Sequence, residues 1–297
     1  MNYDKFCESI KTEVANQLPE HKVDIHEMGK INSVKKIGLV IKEKNKNVSP
    51  IIYLEEYYQE YLRGNKSYEI AKEIVLFYQN TKNGTFDAEK LMNFKDIKNR
   101  IGLKLINTKK NRKFLESVPS IPFLDLSIIF YILIETNTEG TAGMDITNKH
   151  MDIWKVTVQD LWENALKNSS GMFPAVLQTM TDVLKEMIEV KEEGNLLVEN
   201  TGERDGMYVL SNKLKSYGAS CIVYPEVAEM IGEIFKRDYY IIPSSIHEII
   251  IIPYSEMEPE ELDAMVCEVN SAHVAEEEVL SDHCYRYIRA EKQVVMK

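Results

Sequence analysis

"YYIIPSSIHEIIIIP", residues 239–253, places two isoleucine-rich apolar runs on either side of a short polar island. Such runs, when bounded by proline and serine, are typical of β-strands. Because so few residues join the two runs, the strands return alongside each other, which predicts an antiparallel hairpin. We therefore expect residues 243–245 to form the connection, and His247 with Glu248 to open the second strand.

The sequence on both sides of this hairpin alternates between strand and helix patterns. Residues 206–212 and 218–225 have the pattern of strands, residues 225–238 and 258–272 that of helices starting near a proline, and residues 283–289 that of a last strand. The C-terminal order is β-β-α-β-β-α-β, which favours an α+β fold with mainly antiparallel sheets. The apolar residues expected to face inward on the two helices are Val227, Met230, Ile231, Ile234, Leu262, Met265, Val266 and Val269.

The N-terminal part begins with an α-β-β unit. An apolar residue recurs at every fourth position from Phe6 to Leu18, which predicts a helix, and residues 22–28 and 34–43 form a predicted hairpin. Residues 54–106 then predict a tyrosine-rich helical block. We interpret its tyrosines as a half-buried stripe rather than as a ligand-stacking face, because their spacing follows the helical period.

The middle of the chain has a mixed pattern. Residues 121–150 have strand character, and Thr157 is a predicted N-cap of the helix that follows it. Residues 173–190 predict another helix, and the polar residues 191–206 predict a loop.

Length and charge limit the classes of function. The 297 residues suit one large domain or two smaller ones, and we predict an N-terminal lobe of residues 1–115 and an α+β lobe of residues 116–297. The formal net charge of −11 opposes nucleic-acid binding, which depends on cations that neutralise phosphates. The basic run 109–113, with Lys95 and Lys104 nearby, is therefore interpreted as a solvated loop, and we predict no nucleic-acid partner.

Cysteine usage and hydropathy indicate a compartment. The four cysteines form no CxxC pair, which favours a reducing, cytosolic environment. The first residues mix charged and apolar side chains and do not resemble a signal peptide. The longest apolar run, residues 126–134, is too short to cross a bilayer. We predict a cytoplasmic protein that inserts into no membrane.

The polar island of the hairpin is the best candidate for chemistry. It combines serine hydroxyls with an imidazole and a carboxylate, although no GxSxG elbow surrounds either serine. Two interpretations stay open: a hairpin turn whose hydroxyls bind backbone groups, or a hydrolase-like site completed by residues near the C-terminus. The candidate catalytic residues are Ser244, Ser245, His247, Glu248, Asp282 and His283.

Two other polar clusters have simpler interpretations. Asp282, His283 and Cys284, together with His247, His273 and Glu248, supply groups that can ligate metals. They lack a recognised ligand spacing and no HExxH motif occurs, so we predict neither a metal nor a cofactor. In the cluster of Asn148, His150, Asp152 and Trp154, we expect the asparagine to cap a helix and the tryptophan to pack in the core.

Several segments together resemble a known family. They are "NVSPIIYLEEYY" (47–58), "KLIN" (104–107), "FLDLSIIFYIL" (123–133), "NKHMDIW" (148–154), "MYVLSN" (207–212), "GASCIVYP" (218–225), "IIPSSIHEIIIIP" (241–253) and "EEVLSDHCYRY" (277–287). Over nearly its whole length the chain resembles an uncharacterised family of gut clostridial proteins, catalogued as a domain of unknown function. The resemblance implies a bacterial cytosolic origin and no particular reaction.

Two functional hypotheses follow. The first is a non-catalytic binding module whose partner is another protein or a second copy of the chain, because tyrosine-rich helices suit protein contacts. The alternative is a hydrolase-like enzyme that uses the polar island together with Asp282 and His283. The sequence leaves open whether the protein is an enzyme.

Overall fold

Contacts within the chain divide it into two compact units, Met1–Leu91 and Met92–Lys297. The first unit carries one sheet, and the second carries two. The structure is a computed structural model, and it describes residues 1–43, 49–81, 88–137, 140–189, 206–243, 245–255 and 259–296.

The first unit packs helices against a three-stranded antiparallel sheet. Its elements are α1 (Tyr3–Gln17), β1 (Lys22–Gly29), β2 (Lys35–Lys42), β3 (Ile51–Tyr53), α2 (Glu55–Leu62) and α3 (Ser67–Thr81). The strand order is β1-β2-β3. α1 buries Phe6, Ile10 and Val14, the same every-fourth spacing that predicts the helix. The predicted N-terminal helix and hairpin are therefore confirmed.

The tyrosines of α2 are half-buried, as the helical spacing predicts, whereas on α3 Tyr68 is 52% exposed and Tyr78 is 2% exposed. Tyr57, Tyr58 and Tyr61 pack partly buried against the core of the first unit, and Tyr78 is buried in it. The rings of Tyr58 and Tyr61 stack with their centroids 6.2 Å apart. These rings close one side of the core.

The second unit begins with a four-stranded antiparallel sheet. Its elements are α4 (Phe94–Ile97), β4 (Ile101–Asn107), α5 (Arg112–Leu115), β5 (Ser120–Phe123), β6 (Leu126–Asn137) and β7 (Gly140–Asp145). β6 lies in the centre, with β4 on one side and with β5 and β7 on the other. Since β4 pairs with β6 along its whole length, the predicted lobe boundary at residue 115 falls inside this unit.

The helical prediction for residues 54–106 is wrong from residue 101 onward, where β4 begins. All of its residues are buried, so the alternation of apolar and polar positions that marks a half-exposed strand is absent. A short run of this kind, buried at every position, does not distinguish strand from helix.

The next elements lead from the four-stranded sheet to the six-stranded sheet of the second unit. They are α6 (Asn148–Trp154), α7 (Val158–Met172), β8 (Ala175–Thr179) and α8 (Met180–Glu189). Thr157 caps α7 as predicted, because its Oγ1 accepts a hydrogen bond from the Asp160 N–H at 3.2 Å. The helical prediction for residues 173–190 is wrong for β8, which pairs with the later strand at residues 208–212. Most of the predicted loop 191–206 lies outside the described residues.

A six-stranded antiparallel sheet completes the second unit. Its remaining elements are β9 (Tyr208–Asn212), α9 (Val227–Phe235), β10 (Tyr239–Ile242), β11 (Ile249–Pro253), α10 (Pro259–His273), β12 (Tyr285–Ile288) and β13 (Gln293–Met296). The strand order is β13-β12-β10-β11-β9-β8. β10 and β11 form the predicted hairpin, in which Tyr239 pairs with Pro253 and Ile242 pairs with Ile250.

The strand predicted at residues 218–225 is wrong, because residues 218–223 form a 3₁₀ segment. Tyr217, just before it, has the left-handed φ of 54°, which breaks any extended run. Burial of Gly218 to Ile222 explains the apolar composition without a strand. Among the described residues, the C-terminal order is thus strand, 3₁₀ segment, helix, two strands, helix, a second 3₁₀ segment at residues 276–278 and two strands.

Helices cover both faces of the six-stranded sheet. α10 packs on the face that presents Tyr240 and Ile242. α9 packs on the opposite face, where the Tyr239 hydroxyl donates to the Ala228 carbonyl at 2.9 Å. Neighbouring strand residues point to opposite faces, which separates the two helices. The predicted α+β class with mainly antiparallel sheets is confirmed. Among the described residues, no helix has the length and apolar character that a bilayer-spanning helix needs.

Candidate functional site

Ser245 is a turn residue in the β10–β11 connection. Its Oγ accepts hydrogen bonds from the backbone N–H groups of His247 at 3.1 Å and Glu248 at 3.3 Å. Its own N–H donates to the Glu248 carbonyl at 3.1 Å. The Glu248 side chain makes no hydrogen bond or ion pair with another described residue. Ser244 lies outside the part of the chain that the structure describes.

The imidazole of His247 is held from two sides. Its Nδ1 accepts a hydrogen bond from the backbone N–H of Tyr217 at 3.2 Å, and the two rings stack with centroids 5.5 Å apart. Its Nε2 lies 3.5 Å from Oε1 of Glu278. A backbone N–H can only donate, so the neutral ring carries its proton on Nε2, facing that carboxylate. We call His247, Tyr217 and Glu278 the His247 cluster.

Close packing of the backbone fixes this cluster. The Ser211 hydroxyl donates to the His247 carbonyl at 2.8 Å. A Cβ on Gly218 would lie 2.6 Å from both that carbonyl oxygen and the backbone nitrogen of Asn212. Since both neighbours are main-chain atoms that cannot rotate away, only glycine fits beside the His247 cluster.

A buried ion pair lies beneath the ring of Tyr217. The side chain of Lys104 on β4 is only 5% exposed, and its Nζ lies 2.6 Å from Oδ1 of Asp145 on β7. The same Nζ lies 4.9 Å from the centroid of the Tyr217 ring. Lys104 pairs with Ile129 and Asp145 pairs with Tyr131, two positions on one face of β6, so the sheet itself brings the charges together.

Sequence reasoning missed this ion pair. It grouped Lys104 with the solvated basic run 109–113, whereas the side chain is buried. The available signal was a single lysine inside the apolar run "IGLKLIN", because a buried charge requires a partner. Neither Asp145 nor Tyr217 lies near Lys104 in sequence, so the partner itself could not be identified.

Asp282 and His283 are bound to α10. Oδ1 of Asp282 accepts a hydrogen bond from the Asn270 side chain at 2.9 Å, and Nδ1 of His283 lies 3.3 Å from Oδ2 of Asp263. In the part of the chain that the structure describes, neither side chain forms a hydrogen bond or ion pair with the candidate residues of the β10–β11 connection. The structure therefore leaves the predicted residues in two separately bonded groups.

Ser281, next to them, is part of a buried network around Asp125. The two oxygens of that carboxylate accept hydrogen bonds from the Ser281 hydroxyl at 2.7 Å and the Tyr285 hydroxyl at 2.5 Å. Burial, followed by the negative charge of Asp125, raises the pKa of Tyr285, which therefore remains a hydrogen-bond donor. The network joins the β5–β6 turn to β12, and sequence reasoning missed it.

The third predicted cluster forms a helix cap. Thr147, rather than Asn148, is the N-cap of α6, so the cap prediction is wrong by one residue. The Thr147 N–H donates to Nδ1 of His150 at 3.0 Å. The His150 ring stacks on the buried ring of Trp154, as its centroid distance of 5.2 Å shows. Burial lowers the pKa of His150.

The geometry limits the chemistry of these groups. The Nδ1 lone pair of His247 is used by Tyr217, and Nε2 carries the proton of the neutral ring, so neither nitrogen offers a lone pair to the Ser245 hydroxyl. Among the residues that the structure describes, no three side chains of His, Cys, Asp or Glu lie close enough to hold a metal ion. The absence of a metal and of a cofactor stays a prediction.

Two pairs of apolar side chains are exposed on the helices of the six-stranded sheet. On α9, Met230 is 59% exposed and Ile234 is 63% exposed, and we call them the α9 pair. On α10, Met265 is 47% exposed and Val269 is 41% exposed, and we call them the α10 pair. The prediction that these four residues face inward is wrong. On each helix the sheet buries other positions, namely Ile231, Leu262 and Val266.

Comparison with known proteins places the chain in an uncharacterised group. The model of a family of unknown function matches residues 3–289, nearly the whole chain. No curated protein and no solved structure matches it. The resemblance to an uncharacterised family is therefore confirmed, and the clostridial origin stays a prediction.

Proposed function

Because the chain belongs to DUF5688, a family of unknown function, we propose its role from its own geometry: it is a non-catalytic binding module that engages protein. The observation that carries the proposal is the exposure of the α9 pair and the α10 pair on opposite faces of one sheet. Paired apolar side chains on the outer side of a helix mark contact surfaces more often than single exposed ones do.

The arrangement of the polar island supports a structural role for it. Ser245 satisfies two backbone donors of its turn, and His247 connects the turn to Tyr217 and Glu278. Through these hydrogen bonds, Ser245 and His247 hold the β10–β11 connection in place. A hydrolase would need the Ser245 hydroxyl beside a ring nitrogen with a free lone pair.

We also propose that the module acts in the bacterial cytosol. Cys7, Cys221 and Cys284 are buried free thiols, and Cys267 is an exposed free thiol. Exposed free thiols persist in reducing compartments, where disulfides are rare.

The proposal is tested by separating binding from turnover. Tagged full-length protein is used to recover proteins from a lysate; each is identified, purified and titrated by isothermal calorimetry against the wild type and two surface variants, Met230→Lys with Ile234→Lys and Met265→Lys with Val269→Lys. We expect at least one surface variant to weaken the measured Kd tenfold or more, since each removes buried apolar area.

Two loop variants provide the control. Ser245→Ala and His247→Gln leave both apolar pairs intact, so we expect each to bind with the wild-type Kd. The same proteins are assayed for hydrolysis of ester, phosphoester and peptide substrates. Wild-type turnover that both loop variants abolish while they remain folded would contradict the proposed function.

A further inference from the structure

We propose that the basic run, residues 109–113, is a docking surface for a short acidic segment of a partner protein. The run lies between β4 and β5, and its last two residues begin α5. It shares no residue with the α9 pair or the α10 pair, so the inference goes beyond the contact surfaces of the proposed function. Its support is positive charge without a counter-charge, a backbone that is held in place, and an acidic chain around it.

The run concentrates positive charge on the surface. Its exposed cations are Lys109, Lys110, Arg112 and Lys113. Among the described residues, the first of these and the last two form no ion pair. From residue 97 to residue 124 the sequence contains seven lysines and arginines and one acidic residue, so this part of the chain is positive although the net charge is −11. Like charges so close together repel one another, and an anion relieves that repulsion.

The carboxylates nearest in sequence do not compensate the run. The backbone carbonyl of Asp125 accepts a hydrogen bond from the Thr108 N–H at 3.2 Å, so the two loops are adjacent. Its side-chain oxygens, however, accept from the hydroxyls of Ser281 and Tyr285. The exposed Glu116 likewise forms no ion pair within the part of the chain that the structure describes.

Exposed cations elsewhere in the chain show the contrast. Nζ of Lys35 lies 2.7 Å from Oε1 of Glu27, and Nζ of Lys215 lies 2.7 Å from Oε2 of Glu186. A carboxylate from another molecule would have to compete with these internal partners. At the basic run it meets cations that have no such partner.

Two buried asparagines hold the backbone of the run in place. Oδ1 of Asn107 accepts a hydrogen bond from the Lys110 N–H at 2.9 Å, and its Nδ2 donates to the Leu280 carbonyl at 3.0 Å. Nδ2 of Asn111 donates to the Asn107 carbonyl at 2.7 Å. The Asn111 N–H closes a turn on the Thr108 carbonyl at 3.3 Å. Because the backbone is fixed before a ligand binds, less entropy is lost on binding.

The acidic remainder of the chain favours a short ligand over a long one. Nucleic acids gain affinity from many neutralised phosphates along their length, whereas the run offers four cations and the rest of the chain is acidic. An acidic peptide of about six residues can contact the run alone, because charges more than about 8 Å away are largely screened at physiological salt. Its carboxylates can accept from the lysines and, in a bidentate manner, from Arg112.

Fluorescence anisotropy of a labelled acidic peptide tests the proposal. The probe is hexaglutamate with a fluorescein label, and hexaglutamine with the same label is its neutral control. At about 0.05 M salt we expect the full-length wild type to bind hexaglutamate with a Kd on the order of 10–100 µM. We expect hexaglutamine to bind at least about tenfold more weakly.

Charge variants locate the binding. Lys109→Gln with Lys113→Gln should weaken the hexaglutamate Kd about tenfold, and Lys109→Arg with Lys113→Arg should keep it within about twofold. The matched control is Lys5→Gln with Lys72→Gln, which removes two exposed lysines without ion pairs from α1 and α3. It changes the net charge by the same amount, and we expect a Kd within about twofold of the wild type. Circular dichroism confirms that each variant is folded.

The outcomes separate this inference from the proposed function. Equal weakening in the run variant and in the matched control would show that overall charge determines binding, and it would overturn the docking surface. Absence of hexaglutamate binding would overturn it too, and so would tighter binding of a single-stranded DNA of the same charge, which would assign the run to nucleic acid. The α9 and α10 variants can still weaken an identified partner in those cases, so the proposed function stands or fails by its own titration.

Discussion

The chain contains the same local turn twice, in different surroundings. In residues 245–247 and in residues 281–283, a Ser-x-His sequence forms a turn in which the serine Oγ accepts from the histidine N–H at 3.1 Å. In the first, which we call the His247 turn, the imidazole contacts Tyr217 and Glu278. In the second, the His283 turn, the serine is the buried member and the imidazole is more than half exposed.

The difference separates what the local sequence determines from what the fold determines. Three residues are enough to form the turn, because the hydroxyl and the N–H it accepts from lie within it. Burial depends on the neighbouring elements: Ser245 and His247 are half-buried beside the 3₁₀ segment at residues 218–223, whereas Ser281 is fully buried against the β5–β6 turn. A Ser-x-His pattern therefore predicts a turn and does not by itself predict a catalytic pair.

The largest effect is expected where the backbone packs against the His247 turn. In Gly218→Ala the new Cβ meets main-chain atoms at 2.6 Å, so we expect a loss of about 3 kcal/mol in the free energy of unfolding. Urea denaturation measures the loss. Gly206→Ala is the matched control, since nothing lies within 4 Å of its Cβ, and we expect a change below about 0.5 kcal/mol. Equal losses in the two variants would contradict the close packing described for the His247 turn.

The ion pair of Lys104 and Asp145 lies beneath the ring of Tyr217, whose backbone N–H holds His247 in the His247 turn. Asp145→Asn leaves the Lys104 charge buried without its carboxylate, and we expect a loss of about 2 kcal/mol, reduced from the fully buried case because Asp145 is 29% exposed. Lys104→Met should cost less, because the remaining Asp145 carboxylate can be hydrated. Thermal unfolding compares the two variants, and a greater loss for Lys104→Met would show that the buried charge is not the dominant cost.

The two serines provide the most direct test of the comparison. Ser281→Ala removes a buried hydroxyl that also donates to Asp125, and we expect it to cost about 2 kcal/mol. Ser245→Ala removes only an acceptor within a half-buried turn, and about 1 kcal/mol is expected. Chemical denaturation of both variants under one set of conditions measures the difference. Equal costs would mean that the surroundings do not distinguish the turns.

The smallest effect concerns His150, a histidine outside both turns. Burial lowers its pKa, so between the folded pKa and the ordinary value of about 6.5 the unfolded chain binds more protons than the folded one. The contribution of the neutral His150 to the free energy of unfolding is complete above about pH 6.5. It decreases as the pH falls from there towards the folded pKa. Protonation of Nδ1 also removes the acceptor of the Thr147 N–H.

We expect His150→Gln to have a flatter dependence of unfolding free energy on pH than the wild type below that value. Urea titrations on both sides of the window measure the two slopes. The same slope in both proteins would show that His150 does not contribute to the acid sensitivity.

Sequence patterns identified elements with one exposed side, and also the buried strand β10, but they failed for β4 and for the 3₁₀ segment. The apolar spacing from Phe6 to Leu18 predicts α1 because that helix has a solvent face. All residues of β4 are buried, and so are residues 218–222 of the 3₁₀ segment, so their composition reports burial without reporting conformation. Met230 and Met265 show the converse, since their apolar spacing predicts an inward face that the sheet does not cover.

The surroundings of the candidate residues were the part that sequence could not predict. His247 and Ser245 attract attention because they are polar residues between apolar runs. Their partners are distant in sequence or lack a pattern: Tyr217 contributes a backbone N–H, and Glu278 is one of three consecutive glutamates. Backbone hydrogen bonds from Ala219 to Ile246 and from Ile246 to Glu278 place these groups together, and no local spacing predicts those bonds.

The donor that holds His247 has a consequence for evolutionary drift within the family. Because the bond comes from the main chain of Tyr217, any residue other than proline at that position still supplies it, and the left-handed φ of 54° there favours asparagine or glycine. Loss of the imidazole has no such substitute. We therefore expect relatives to retain the histidine more strictly than the tyrosine, although the ring contacts His247 and Lys104. An alignment in which position 247 varies more than position 217 would contradict this expectation.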